Sequence, residues 1–192
     1  EKALLVNGVY TQNLIKAAIN QSVKKFIYLS TAHVYSDNLL GAITEDTPTT
    51  NIHPYATSHV AGESAVLLAI RQGCMKGAVV RIANVFGTPV SKDVNCWMLL
   101  VNDLCKQAVV ERSLTLNSDS KTVRDFVTIR DFCSVIGLLI EDNNTNNIVN
   151  IGSSKACTIG KMATKIQSNC LNILGFEPPI MLKQKSLINK KP

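Results

Sequence analysis

Ten glycines are present, yet nowhere do they form G-x-x-G-x-x-G or G-x-G-x-x-G. A dinucleotide pyrophosphate is usually cradled by such a loop at a helix N-terminus, so these 192 residues lack that cradle in its usual form. The six cysteines, Cys74, Cys96, Cys105, Cys133, Cys157 and Cys170, contain no C-x-x-C pair and mostly fall in apolar helical patterns. That usage is expected of reduced core cysteine in a cytoplasmic protein. The three histidines, His33, His53 and His59, are scattered and lack a carboxylate pattern, so no metal site is expected. Aromatic residues make up 5% of the chain, and Lys and Arg are dispersed apart from a tail from Lys183 to Lys191, which speaks against a nucleic-acid surface. No apolar run approaches the ~18 residues of a membrane span, and no charged-then-apolar start marks a secretory leader. Nor is there an internal repeat or a low-complexity segment.

A hydrophobic content of 46% over this length suffices for a domain with its own core. The net charge of +6 suits an anionic ligand such as a diphosphate. Most of the chemistry lies between Phe26 and Ala61. The run Phe26-Ile27-Tyr28-Leu29 reads as a buried strand, and it turns polar at Ser30-Thr31. In doubly wound sheets ligands gather at the carboxyl ends of strands, so hydroxyls there are placed to face a substrate. A helix opens at His53-Pro54-Tyr55, with Pro in its first turn and Asn51 as the candidate cap, and runs to Gln72 before Gly73. Tyr55 and His59 are four apart and share one face of it. A strand-end hydroxyl, a phenol and an imidazole outline a proton-transfer group. The same residues also fit an ordinary half-buried pair beside a strand terminus.

Elsewhere, apolar residues at helical spacing (Val6, Tyr10, Leu14, Ala17, Ala18) predict an amphipathic helix over Val6 to Asn20. Ala78 to Ile82 reads as a buried strand with Asn84 at its exit. A helix is predicted over Asn95 to Ala108, and short strands at Leu114 to Leu116 and Val123 to Val127. Thr128 with Asp131 signals a helix start for Ile129 to Ile140. A polar turn at Glu141 to Asn147, a strand at Ile148 to Ile151, a helix opened by Thr158 that runs to about Leu174, and an edge strand at Ile180 to Leu182 follow. Strands alternating with helices imply a parallel α/β sheet.

The segments Val23-Lys24-Lys25-Phe26-Ile27-Tyr28-Leu29-Ser30-Thr31, Val34-Tyr35, Thr44-Glu45, Pro54-Tyr55 and Ala61-Gly62-Glu63 occur in that order. They are followed by Arg81-Ile82-Ala83-Asn84-Val85-Phe86-Gly87, Val123-Arg124-Asp125-Phe126-Val127 and Asn150-Ile151-Gly152-Ser153. Together they resemble the extended short-chain dehydrogenase/reductase family, in its NAD-dependent epimerase/dehydratase group acting on nucleotide sugars. The resemblance implies an α/β fold with a partial Rossmann-like, doubly wound parallel sheet and part of a small C-terminal substrate-binding region. Residues 1–90 would be the C-terminal half of the dinucleotide-binding region with the catalytic Thr and Tyr. Residues 91–192 would be a mixed substrate-binding region interleaved with a returning Rossmann strand and helix.

By resemblance, Thr31 is the catalytic Ser/Thr that hydrogen-bonds the sugar oxygen, and Tyr55 the general acid/base. His59 stands at the Lys of the family's Y-x-x-x-K motif, where the Lys binds the nicotinamide ribose and lowers the Tyr pKa. Bringing a phenol from about 10 to about 7 takes roughly 4 kcal/mol of differential stabilisation, and a His near its ordinary pKa is only about a quarter charged at pH 7. Asn7, Ser30, Tyr55, His59 and Ala83 match cofactor-side positions, and Asn84, Asn95 and Arg124 match substrate-side ones, Arg124 at the diphosphate. The residues admit plainer roles too: a helix-start polar residue at Asn7, packing at Ala83, a helix cap at Asn95, and a salt bridge from Arg124 to Asp125 or Asp131.

The resemblance further implies NAD or NADP in an incomplete site, a homodimer through helices near residues 4–20 and 54–72, and a central slice of a longer enzyme. Hydride transfer at a nucleotide-sugar carbon is the first functional expectation. A non-catalytic nucleotide-sugar-binding or interaction module is the second, favoured by His59 and the missing glycine loop. A regulator recognising NAD(P)H or RNA on a related scaffold is the third.

Overall fold

Strands and helices alternate along the chain as its apolar periodicities predict. The computed structural model describes residues 1–183 apart from 38, 92 and 143–145, with the backbone alone described at 146 and 147. The order is α1 (Lys2–Leu4), a π-helical turn (Leu5–Tyr10), α2 (Thr11–Asn20), β1 (Lys25–Thr31), α3 (Pro54–Arg71), β2 (Lys76–Ile82) and β3 (Asn84–Phe86). Then come α4 (Leu100–Val110), β4 (Leu114–Leu116), β5 (Val123–Arg124), β6 (Phe126–Thr128), α5 (Ile129–Glu141), β7 (Asn146–Ile151), β8 (Cys157–Thr158), α6 (Ile159–Leu174) and β9 (Ile180–Leu182). Two compact units result: Glu1–Val85 with Asp125–Lys155, and Phe86–Arg124 with Ala156–Pro192.

The first unit is built on a parallel sheet of order β1-β2-β7, in register Tyr28↔Val79↔Ile148 and Ser30↔Arg81↔Asn150. Alternate residues of β2 serve opposite faces, as the period of a strand requires. Val79 packs with Ile15, Ala18, Tyr28, Val66 and Ala69 of α2, β1 and α3, while Ala78 and Val80 pack with Val127, Leu139 and Ile151 toward α5. Helices therefore cover both faces, which is the doubly wound α/β arrangement expected. Burying each valine, leucine or isoleucine among them contributes about 1.5–3 kcal/mol. Gly77 is required in β2, because a Cβ there would lie 2.0 Å from Phe26 O.

Lys25 closes the end of α5, its Nζ donating to the carbonyls of Leu139 (2.9 Å), Ile140 (2.6 Å) and Asp142 (2.5 Å). A cation at a helix C-terminus satisfies both the orphan carbonyls and the helix dipole. Thr128 caps the other end of α5: its Oγ1 accepts from Asp131 N at 3.1 Å and donates to Asp131 Oδ2 at 2.8 Å. The predicted start signal is thus realised.

In the second unit α4 packs on α6, with Val101, Leu104 and Ala108 buried on one and Met162, Ala163 and Ile166 on the other. β4 pairs in parallel with β9, and β5 antiparallel with β8. Thr158 caps α6 through Lys161 N (3.1 Å), and Gly175 ends it in the left-handed region at φ 75°.

Several expectations are corrected. The N-terminal helix buries Thr11, Ile15 and Ala18, so of the predicted stripe of Val6, Tyr10, Leu14, Ala17 and Ala18 the last faces the core and the other four are exposed, Leu14 by 60%. A π-turn within the run shifts the facing of residues, which a constant helical period cannot anticipate. Leu29 of the strand read as buried is 48% exposed. The cap of α3 is His53, whose Nδ1 accepts from Tyr55 N at 3.2 Å; Asn51 Oδ1 holds His53 N one step earlier, at 2.8 Å. The helix predicted from Asn95 begins at Leu100, so Asn95 caps nothing. The Val123 to Val127 strand is broken at Asp125, whose carboxylate turns to accept from the backbone amides of Ser153 (3.0 Å) and Ser154 (3.2 Å). Of the cysteines, Cys170 alone is buried, and Cys74, Cys105 and Cys133 are exposed. The predicted turn at residues 141–147 is described only at its ends, with β7 starting at Asn146, and the basic tail beyond Lys183 lies outside the described residues.

Candidate active site

Three strands end side by side in a polar row, Ser30 of β1, Arg81 of β2 and Asn150 of β7, directly in register. A charged residue inside the apolar run Ala78-Val79-Val80-Arg81-Ile82 must find a partner when buried. Arg81, 5% exposed, finds Glu63 of α3, 2% exposed. Its Nε lies 3.1 and 3.2 Å from the two Glu63 oxygens and its Nη2 2.7 Å from Oε2. Ser30 Oγ donates to Glu63 Oε1 at 2.5 Å. On its other side the Arg81 guanidinium stacks over the Tyr35 ring at 4.7 Å, and Tyr35 Oη donates to Asn150 Oδ1 at 2.7 Å. Asn150 N in turn donates to Glu45 Oε1 at 2.7 Å. Burial works against the charge of Arg81, but the hydrogen bonds to Glu63 and Tyr35 outweigh it and raise its pKa.

This network anchors the face of α3 that carries the predicted pair. One turn before Glu63, His59 is buried, and the Tyr55 ring meets its imidazole edge-on with centroids 4.7 Å apart. Tyr55 is 45% exposed. Burial lowers the His59 pKa below its ordinary 6.5, with the Glu63 charge pulling weakly the other way. His59 Nδ1 lies 3.5 Å from Tyr28 Oη, which also donates to Asn7 O at 3.3 Å. Burial pushes the Tyr28 pKa up to about 12. Asn7 sits in the π-turn and donates from Nδ2 to Ser58 Oγ at 3.0 Å. The helices approach closely there: a Cβ on Gly62 would lie 2.3 Å from Asn7 O and 2.4 Å from Tyr28 Oη.

Of the other predicted residues, Thr31 is buried at the end of β1 and its Oγ1 accepts from His33 N at 3.2 Å, a bond that does not use its own proton. Ser30, by contrast, commits its proton to Glu63. Ala83 N donates to Ile151 O, and Asn84 gives both its backbone N–H and its Nδ2 to Asp125 O, each at 3.0 Å. Asn7, Ser30, Thr31, Tyr55, His59, Ala83 and Asn84 thus share the first unit, whereas Asn95 and Arg124 belong to the second. Among the described residues Arg124 forms no ion pair, and its Nη1 donates to Val123 O at 3.1 Å. Sequence reasoning missed Glu63, Arg81, Tyr28 and Tyr35 as parts of the site. The signal for the first two was an arginine in an apolar strand and a glutamate four residues beyond His59.

A family model described as the NAD dependent epimerase/dehydratase family matches residues 1–152. A dTDP-6-deoxy-L-talose 4-dehydrogenase (NAD(P)(+)) of Kitasatospora kifunensis is 26% identical over 160 residues, covering 82% of this chain and 50% of that protein. The crystal structure of UDP-glucuronic acid 4-epimerase from Bacillus cereus in complex with UDP-glucuronic acid and NAD is 26% identical, with a TM-score of 0.72, covering 92% of this chain and 54% of that one. An NAD-dependent NDP-hexosamine 5,6-dehydratase involved in tunicamycin biosynthesis aligns with a TM-score of 0.79 at 24% identity, over 94% and 56% of the two chains. The chain spans about half the length of the curated relatives it matches.

Two predictions follow from this geometry. Arg81→Met leaves a buried carboxylate without its cation and should destabilise the fold by about 3–5 kcal/mol in urea melts, with much of that recovered when Glu63→Leu is added. Because the folded pKa of His59 lies below 6.5, the unfolded chain takes up the proton first as pH falls. Stability is then whole above that value and declines below it, so between about pH 7.5 and about pH 5.5 the loss should be smaller in His59→Gln than in the wild type.

Proposed function

The chain belongs to the NAD-dependent epimerase/dehydratase family, matched over residues 1–152, and on that premise we propose that it contributes the proton-transfer half of a nucleotide-sugar epimerase or dehydratase. The observation that carries this reading is the half-exposed Tyr55 phenol set edge-on against His59 on the buried, anchored face of α3. In this reading Tyr55 takes a proton from, or returns it to, a sugar hydroxyl, and Thr31 donates its unspent hydroxyl proton to the same oxygen. His59 hydrogen-bonds the nicotinamide ribose, with Asn7, Ser30 and Ala83 on the cofactor side. Asn84 is the substrate-side residue of the first unit; in the second, Asn95 is the other candidate for a nucleotide sugar, and Arg124, which has no ion pair among the described residues, suits a diphosphate.

NAD, or NADP, supplies hydride chemistry at the sugar carbon when bound. Polar groups that suit its nicotinamide end are present, a phenol and an imidazole on α3 and hydroxyls at the end of β1. No glycine loop for its pyrophosphate occurs in these residues, so that cradle comes from outside them. Residence in the cytoplasm belongs to the same reading. His59 at the Lys position supports a second reading, a binding module that retains the nucleotide-sugar contacts without turnover.

Calorimetric titration with NAD, UDP-glucose and dTDP-glucose separates the two. Binding with turnover that falls about 10²–10⁴-fold in Tyr55→Phe supports the enzyme. Sugar-nucleotide binding without turnover in either the wild type or His59→Lys supports the module, and no binding of any of the three overturns both.

We further propose a homodimer through the N-terminal helical run and α3. Leu5, Val6, Val9, Tyr10 and Leu14 form an exposed apolar stripe there, and Leu68 of α3 is exposed as well. Leu14→Glu should convert a dimer to a monomer in light scattering, and a wild-type monomer at high concentration sinks the proposal.

A further inference from the structure

We propose that Tyr28 is a positioning residue that holds His59 as a neutral imidazole with its proton on Nδ1, so that Nε2 is presented as a hydrogen-bond acceptor. This rests on the reading of His59 as a cofactor-side residue and specifies what kind of group it is.

The argument is a count of protons. Tyr28 Oη has one proton to give and two lone pairs. Its proton goes to Asn7 O at 3.3 Å, a carbonyl inside the π-turn Leu5–Tyr10, where the regular helical bonding pattern is shifted. The Thr11 side chain hydrogen-bonds Oη and takes one lone pair, and the contact of Oη with His59 Nδ1 at 3.5 Å is then made by an Nδ1 proton pointing at the other. A neutral imidazole carries one ring proton, so Nε2 is left with a lone pair.

The surroundings favour the neutral ring. His59 is buried, and burial disfavours its charge. Tyr28 is buried on β1 and stays protonated well past neutrality. The one carboxylate nearby on α3, Glu63, is spent on Arg81 of β2 and Ser30 of β1. Tyr55 meets the imidazole with its ring. The titratable side chains of the helical run packed on α3, which are Glu1, Lys2, Tyr10 and Lys16, are all exposed. The short turn Ala32–Val34 that also packs on α3 contributes His33, which is half-buried.

A lysine at this position has three donors and no acceptor, whereas His59 in this form accepts. It therefore selects a hydroxyl that donates, and it lends Tyr55 no positive charge. In the proposed enzyme, activity then rises with pH to a higher optimum than a cation at position 59 would give, and His59→Lys lowers that optimum.

The test is heteronuclear NMR of the imidazole nitrogens in the full chain near neutral pH. The expected wild-type spectrum has a protonated, pyrrole-type Nδ1 and a bare, pyridine-type Nε2 for His59. In Tyr28→Phe, which keeps the core ring and is checked for folding by its melting curve, the proton should move mainly to Nε2, the form free histidine prefers. A wild-type His59 protonated on Nε2, or doubly protonated, overturns the proposal without any variant, as does a Tyr28→Phe protein with the wild-type pattern. The functional reading fails separately: Nδ1 protonation in a chain that binds neither NAD nor sugar nucleotides leaves the assignment standing and removes the enzyme.

Discussion

The Glu63–Arg81 pair is the constraint that orders the first unit. Two charges removed from water each carry a penalty of several kcal/mol, and only well-aimed partners return it. Here the guanidinium fork meets the carboxylate from two nitrogens, and Ser30 adds a third donor. That geometry tolerates little sliding or rotation of α3 over the sheet, because a shift of one residue would turn Glu63 away from β2. The pair is thus less a source of net stability than a pin on register. What it pins is the helical face on which Glu63, His59 and Tyr55 follow one another at four-residue intervals.

A second constraint acts from the opposite flank. Gly62 presses α3 onto the π-turn so closely that Asn7 O and Tyr28 Oη occupy the space a side chain would take. The close approach brings a backbone carbonyl, a phenol and an imidazole together, on the side of the N-terminal run that also buries Thr11, Ile15 and Ala18. Its apolar side is left facing outward, from Leu5 to Leu14. The site and the exposed stripe are two consequences of one packing choice, which ties any assembly through that stripe to the placement of Asn7 and Tyr28.

Much of this was legible in the sequence where local chemistry decides. The Thr128 and Thr158 caps, the glycine stop after α3 and the alternation that makes β1, β2 and β7 parallel all follow from short-range rules. The pairing of Tyr55 with His59 needed only helical spacing. The failures are tertiary. A stripe of Val6, Tyr10, Leu14, Ala17 and Ala18 is equally apolar whether it faces a core or an interface, so periodicity could group its residues but not tell that Ala18 is buried and the other four exposed. Asp125 looked like part of a strand because its partners, the amides of Ser153 and Ser154, lie some 28 residues further on. Arg81 was visible as an anomaly inside an apolar strand, but its partner could be named only once α3 was laid across β2.

Replacing a cation by His59 changes what Tyr55 can do. A phenol that must lose its proton near neutrality needs roughly 4 kcal/mol of help, and a neutral imidazole offers none of it as charge. Within the proposed enzyme, His59 therefore contributes a hydrogen-bond acceptor at the ribose and no charge to Tyr55. In that reading any charge that activates Tyr55 has to come from a group other than residue 59.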